Sequence, residues 1–289
     1  MREIFYSFLI FCFIFTIFSC GKTTEENVND TVSKANDTIT GGTGSAGGGS
    51  GTGGGTSYSC SFKNTKAFIV GNAVTEKCIF YDCPKSKIVI WDLNGCMKVV
   101  GESVMGAVDA ASHNNSIYIA DDAGYYWIVG AGNEIEKKQI NYPSGHKPSE
   151  ITGISVNSVG NVYVAGNVVK NKKPLPDTAY WKNGELVKTF RENADWYSEL
   201  HVAADSNGNV YIPGWRMKTH EVTYSALWIN GTRKNLSTSN DGEATDAVIG
   251  SETASGSNVW ISGAQGPYTR GGTLAAYWRK KTNGQTVQT

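Results

Sequence analysis

Two aspartates and a histidine, Asp109, Asp246 and His201, are the residues whose types and placement could do chemistry in this chain. A carboxylate can accept a proton as general base or lend one as general acid, and an imidazole does either near neutral pH. Both roles require the groups to converge in a recess. The three are far apart in sequence, so some architecture must bring them together. The same residue types have a plainer use, capping turns or binding channel water. The other histidines, His113, His146 and His220, form with His201 neither an HxH nor an HExxH spacing, so no metal site is read from them.

Four cysteines, Cys60, Cys78, Cys83 and Cys96, fall close together. An even, clustered set reads as disulfides in an oxidising compartment. Three connectivities are open; the local pair Cys78 with Cys83 spans the hairpin CIFYDC and leaves Cys60 with Cys96. That second pair joins the first and fourth strands of one sheet, which are not neighbours. A four-thiolate zinc site lacks its paired CxxC spacing. No nucleophile elbow or calcium loop occurs, and the glycine-rich stretch before Ser57 has no GK[ST] ending to cradle phosphate. The residues imply no cofactor.

The elements that must position Asp109, His201 and Asp246 are legible as repeats. One short phrase recurs as Asn161-Val-Tyr-Val-Ala-Gly166, Asn209-Val-Tyr-Ile-Pro-Gly214 and Asn258-Val-Trp-Ile-Ser-Gly263, with weaker copies Ser116-Ile-Tyr-Ile-Ala120 and Ala67-Phe-Ile-Val-Gly71. Its central aromatics Phe68, Tyr118, Tyr163, Tyr211 and Trp260 are spaced 50, 45, 48 and 49 residues apart. A second phrase follows each and carries Trp91, Trp127, Trp181, Trp228 and Trp278. Both phrases are β-branched and aromatic runs bounded by Gly, Asn, Asp or Pro, which predicts strands. Within one repeat four strands are expected, at 151–156, 161–165, 178–182 and 185–190. The Asn-Gly turns at Asn183-Gly184, Asn230-Gly231 and Asn94-Gly95 should close hairpins. Asp121-Asp122 reads as turn chemistry. Five such units predict an all-β fold, a propeller of five four-stranded blades at about 57–101, 107–144, 150–195, 197–241 and 244–289. Asp109, His201 and Asp246 then stand near the starts of innermost strands, at the rim of a central channel. The recurring Trp and Tyr residues are expected to pack sheet on sheet; one aromatic per blade could alternatively offer sugar-stacking sites.

Ahead of the repeats, Ile4 to Phe18 is a fifteen-residue apolar run, broken only by Ser7, Thr16 and the thiol of Cys12, behind Arg2. That length suits a signal-peptide core and is short of the ~20 residues of a bilayer span. The run ends in Ile17-Phe18-Ser19-Cys20-Gly21, which resembles the lipobox of bacterial lipoproteins, with bulky Phe18 and acidic Glu3 as departures. The resemblance implies a signal at 1–19 and acylation, such as palmitoylation, of Cys20. Residues 20–56 then form a tether, in which Gly41 to Gly55 holds ten glycines in fifteen positions. Such a segment buries too little to offset its chain entropy.

The repeat phrases resemble bacterial β-propeller repeat families, including envelope lipoproteins built of VYVAG and YWKNG units. The likeness spans 57–289 and implies the fold without an activity, since propellers host lectins, hydrolases, lyases and scaffolds alike. Lys plus Arg and Asp plus Glu number 26 each, so no bulk field draws nucleic acid. The expectation is a lipid-anchored protein of the cell envelope, at the outer membrane, whose propeller is a non-catalytic binding or scaffold module for a protein or glycan. The alternative is a lectin or carbohydrate-active enzyme with its site in the channel.

Overall fold

The computed structural model describes residues 68–73, 86–92, 97–104, 106–170, 176–190, 201–219, 222–236, 242–253, 256–265, 274–281 and 286–288. Cys20, the four clustered cysteines, His220 and the Asn94-Gly95 turn lie outside these residues.

The described residues form a five-bladed β-propeller. Its first sheet holds β1 (Phe68–Ala73), β2 (Ser86–Asp92) and β3 (Met97–Ser103). The second holds β4 (Ala107–His113), β5 (Ser116–Asp121), β6 (Tyr125–Val129) and β7 (Ile135–Gln139). The third comprises β8 (His146–Val156), β9 (Val162–Lys170), β10 (Asp177–Lys182) and β11 (Glu185–Phe190). In the fourth are β12 (Ala203–Ala204), β13 (Val210–Thr219), β14 (Val222–Ile229) and β15 (Thr232–Asn235). The fifth has β16 (Gly242–Thr253), β17 (Gly256–Gln265), β18 (Leu274–Lys280) and β19 (Thr286–Gln288). Every sheet is an antiparallel meander of strands consecutive in the chain.

Local chemistry explains the hairpins. Asn183 and Gly184 have φ of 52° and 87°, Asn230 and Gly231 of 52° and 74°. Two consecutive left-handed residues make the type I′ turn whose twist matches the strands it joins, and Asn-Gly adopts it at least cost. Both asparagines also reach sideways: Val162 N donates to Asn183 Oδ1 at 2.9 Å, and Val210 N to Asn230 Oδ1 at 2.8 Å. Each turn is thereby clipped to the start of the second strand of its blade. The glycine ending the first phrase answers a different demand. A Cβ on Gly166 would stand 2.3 Å from Glu150 O, and one on Gly263 2.1 Å from Glu243 O. The innermost strand passes too close there for any side chain.

Register is common to the blades. The residue after each central aromatic pairs with the tryptophan of the next strand: Ile69 with Trp91, Ile119 with Trp127, Val164 with Trp181, Ile212 with Trp228, Ile261 with Trp278. β1 is therefore the counterpart of a second strand, and the described first sheet consists of strands two to four rather than the full set of four.

Apolar side chains gather in four clusters, each between successive sheets. Ile88 and Ile90 of the first meet Ile119 and Trp127 of the second; Tyr126 and Ile140 meet Ile151 and Trp181. Tyr163 and Tyr180 meet Ile212 and Trp228, and Tyr211 and Leu227 meet Ile261 and Trp278. At each seam the later blade inserts its tryptophan and the earlier blade its central aromatic. Trp181, Trp228, Trp278, Tyr163 and Tyr211 are fully buried, Trp127 is buried, and Trp91 and Tyr118 are half-buried. Trp260 departs from the core-packing expectation: it is 40% exposed, because no described element covers the outer face of the fifth blade.

Candidate functional site

Asp109, His201 and Asp246 occupy one structural position in three different blades. Asp109 pairs with Ala120 and Asp246 with Ser262, each the residue two beyond its blade's central aromatic. Gly153 holds the same place in the third blade, paired with Ala165, and His201 precedes by two the Ala203 that pairs with Tyr211. A bulge precedes Asp109, Gly153 and Asp246, where the registers shift between Ala107 and Asp109, Ile151 and Gly153, and Ala244 and Asp246. Bulges take residues out of the ladder and re-aim their neighbours.

The carboxylates answer amides left by those bulges. Ala110 N donates to Asp109 Oδ1 at 2.8 Å, and Ala247 N donates to Asp246 Oδ1 at 2.7 Å. Gly153 has no side chain to do the same for its blade, and Ile154 N donates instead to Asp109 Oδ2 of the neighbouring blade at 2.8 Å. Both oxygens of Asp109 are thus engaged by backbone. His201 Nδ1 lies 3.6 Å from Asp109 Oδ2 and 3.9 Å from Asp246 Oδ1. Those separations allow an ion pair when the imidazole is protonated but are beyond a hydrogen bond. The structure therefore brings together the three residues singled out from sequence, with two carboxylate acceptors beside a histidine.

The array lines a cavity of about 640 Å³ built from the innermost strands of blades two to five. Among the described residues its charged lining is Asp109, His201, Asp246 and Glu252, with no lysine or arginine. Sequence reasoning missed Glu252, which ties the third and fourth blades to the fifth: Ser158 Oγ donates to Oε2 at 3.2 Å and Ser206 N to Oε1 at 3.0 Å. It also missed Asp205, a buried carboxylate between the fourth and fifth blades. Asn209 N and Nδ2, Tyr211 OH and Ser257 Oγ all donate to it, at 2.8, 2.9, 3.1 and 2.9 Å. A signal was present: Asn157-Ser-Val-Gly-Asn161 and Asp205-Ser-Asn-Gly-Asn209 precede the repeated phrase at the same offset. Asn157 plays the matching part, receiving Asn161 N at its Oδ1 and donating from Nδ2 to Asp205 O at 2.8 Å.

Of the remaining readings, Asp121 is turn chemistry and more. Its Oδ1 accepts from Ala123 N at 2.8 Å, while Oδ2 accepts from Trp127 Nε1 at 3.0 Å and fixes that tryptophan in its seam. Asp122 accepts from Ile151 N of the third blade at 3.2 Å. His113 lies near Gly160, and the ring of His146 lies 3.3 Å from Ser144 O, so neither joins the channel array. Among the described residues no group of three His, Cys, Asp or Glu has the arrangement of a metal site.

No family model and no curated protein matches the sequence. Among solved structures the chain is similar to Kuenenia stuttgartiensis hydrazine synthase, with 13% identity over 70% of this chain and 59% of that one, at a TM-score of 0.42. It is also similar to a PL25 ulvan lyase bound to -[GlcA(1-4)Rha3S]-, with 11% identity over 71% and 60% of the two chains and a TM-score of 0.46. A GH43 β-1,3-galactosidase aligns at 12% identity over 69% and 47%, with a TM-score of 0.34. The chain thus spans about half to three-fifths of those solved chains. Likeness at this level carries no activity across.

Proposed function

We propose that the chain is a membrane-tethered envelope lipoprotein whose propeller is a non-catalytic binding module, with a polar ligand such as a glycan end seated in the channel. The observation that carries the binding reading is the use made of Asp109. With both its oxygens held by Ala110 N and Ile154 N, it is a fixed acceptor, poorly placed to shuttle a proton with each turnover. A recess of about 640 Å³ falls within the range of small-molecule sites and suits one or a few sugar rings better than a flat protein face. Sugar hydroxyls would donate to Asp246 and to the rim, and the carboxylates of Asp109, Asp246 and Glu252 in the described lining disfavour anionic ligands.

The convergence of two carboxylates on one imidazole favours a second reading, a carbohydrate-active enzyme at the same place. A glycan array and a panel of chromogenic glycosides separate the two. Saturable binding without turnover is expected, weakened about tenfold by Asp246→Asn, the loss of roughly one hydrogen bond to a charged group. Glycoside turnover that disappears in Asp246→Asn would replace the binding module with an enzyme.

The tether reading rests on the lipobox-like Ile17-Phe18-Ser19-Cys20 and the glycine-rich stretch behind it. Cys20→Ser is expected to move the protein from the membrane fraction to the soluble one and to abolish labelling by a palmitate analogue. A variant that stays membrane-bound would remove the lipid anchor from the proposal.

A further inference from the structure

Three Asn-Gly pairs fall among the described residues: Asn183-Gly184, Asn207-Gly208 and Asn230-Gly231. The dipeptide is chemically labile, because a glycine N–H with no Cβ beside it can attack the carbonyl carbon of the asparagine side chain. What holds the two residues decides whether it does. At Asn183 both ends of the side-chain amide are engaged: Oδ1 accepts from Val162 N at 2.9 Å and Nδ2 donates to Asn161 Oδ1 at 3.1 Å. Asn230 repeats this with Val210 N and Asn209 Oδ1, at 2.8 and 3.1 Å. The main chain of both turns is held as well, for Gly184 O accepts from Asn141 N at 2.8 Å and Asn230 O from Lys188 Nζ at 2.9 Å. The preceding blade crowds both glycines. A Cβ on Gly184 would stand 2.9 Å from Gln139 O, and one on Gly231 2.8 Å from Lys188 Cδ.

Asn207 escapes these restraints. It is exposed in the turn between β12 and β13, and its side chain makes no hydrogen bond among the described residues. The atom nearest to a Cβ on Gly208 would be Tyr163 OH, 3.5 Å away. One bond opposes reaction, from Gly208 N to Asp205 O at 3.0 Å. The matching residue of the third blade is Val159, which has no amide to lose. We propose that Asn207 is a site of spontaneous deamidation and isoaspartate formation, set apart from Asn183 and Asn230 by the fold. Gly208 N bonds to Asn207 Cγ, the proton it gives up ends on the Nδ2 group, and Nδ2 leaves as ammonia, so that a five-membered succinimide remains. Water then opens the ring at Cγ to give aspartate, or at the main-chain carbonyl to give isoaspartate, whose chain runs through Cβ and Cγ. No oxidant or other reactant enters. The place matters because this turn is a junction: Asp205 N donates to Asn209 O at 3.0 Å, Asp205 O accepts from Asn157 Nδ2 at 2.8 Å, and Ser206 N donates to Glu252 Oε1 at 3.0 Å. An added main-chain atom and a new carboxylate would loosen the ties of the fourth blade to the third and fifth. This inference is independent of what the channel binds.

Ageing the full chain in mildly alkaline buffer, followed by peptide mapping, tests it. The Asn207 peptide is expected to convert from amide to acid at least about tenfold faster than the Asn183 and Asn230 peptides, the equivalent of about one or two hydrogen bonds of added restraint at the latter. It should also accept methyl groups from a protein isoaspartyl methyltransferase. In strong urea, where no turn survives, the three rates should converge. An Asn207 that stays intact, or conversion of Asn183 or Asn230 at the same rate, would overturn the proposal. So would a preference that keeps its full size in urea, since its cause would then be the flanking residues and not the fold.

Discussion

Asp205→Ala is expected to lower folding stability by about 3–5 kcal/mol, a fall in Tm of roughly 10 °C for a domain of this size. The carboxylate is fully buried and takes four hydrogen bonds from Asn209, Tyr211 and Ser257. Removing it strands donors on two blades at once. Burial by itself pushes the Asp205 pKa up, but the bonds from Asn209, Ser257 and Tyr211 outweigh that and hold it below the usual carboxylate value. A carboxyl whose folded pKa is depressed contributes stability above its unfolded pKa, near 4, and loses it as pH falls through the folded value. Acid unfolding below about pH 4 should therefore be shallower in Asp205→Asn than in the parent chain. The two neighbouring tyrosines give an internal control. Burial, with the Asp205 carboxylate close by, pushes the Tyr211 phenol up and keeps it a donor, so Tyr211→Phe should cost about 1.5–3 kcal/mol. The Tyr163 hydroxyl is buried with no hydrogen-bond partner among the described residues, so Tyr163→Phe should be close to neutral. Equal losses at the two tyrosines, measured by urea denaturation, would show that the Asp205 node is not the cause.

Much of the fold was legible because each local signal had one physical meaning. The four strands expected at 151–156, 161–165, 178–182 and 185–190 are matched by β8 to β11. Asn183-Gly184 and Asn230-Gly231 form the turns that their tolerance of positive φ predicts. Strand ends were less legible. β8 begins at His146 and β16 runs twelve residues, both through bulges, and a bulge depends on the partner strand as much as on its own sequence.

The channel array was found from position alone, since the start of an innermost strand is where a propeller brings distant residues together. What could not be read was the duty of its carboxylates. That Asp109 serves an amide of the third blade follows from the absence of a side chain at Gly153 and from the bulge before it, neither visible as a pattern in one repeat. Trp260, 40% exposed, shows a related dependence: a residue repeated at a core position is buried only as far as the next blade covers it, and for the last blade that neighbour is the first.

Trp181→Ala should be the most damaging apolar truncation in the third blade, costing about 3–5 kcal/mol. The indole is 0% exposed at the seam of blades two and three, edge-on to Tyr142 with centroids 5.5 Å apart and planes at 67°. Its Nε1 donates to Asn141 O at 2.9 Å, so truncation both opens a cavity and leaves a carbonyl unanswered. Trp181→Phe keeps most of the volume and loses the bond, for which about 1–2 kcal/mol is expected. The difference between the two variants then separates packing from hydrogen bonding. Because each blade packs chiefly on its neighbours, the architecture adds a further consequence: damage confined to one seam should lower cooperativity as well as stability. In urea, Trp181→Ala should show a reduced slope or a second transition, with blades four and five holding exchange protection after blade two has lost it. A single transition with the parent slope would mean that the five sheets unfold as one unit, and that the seams are coupled more tightly than nearest-neighbour packing implies.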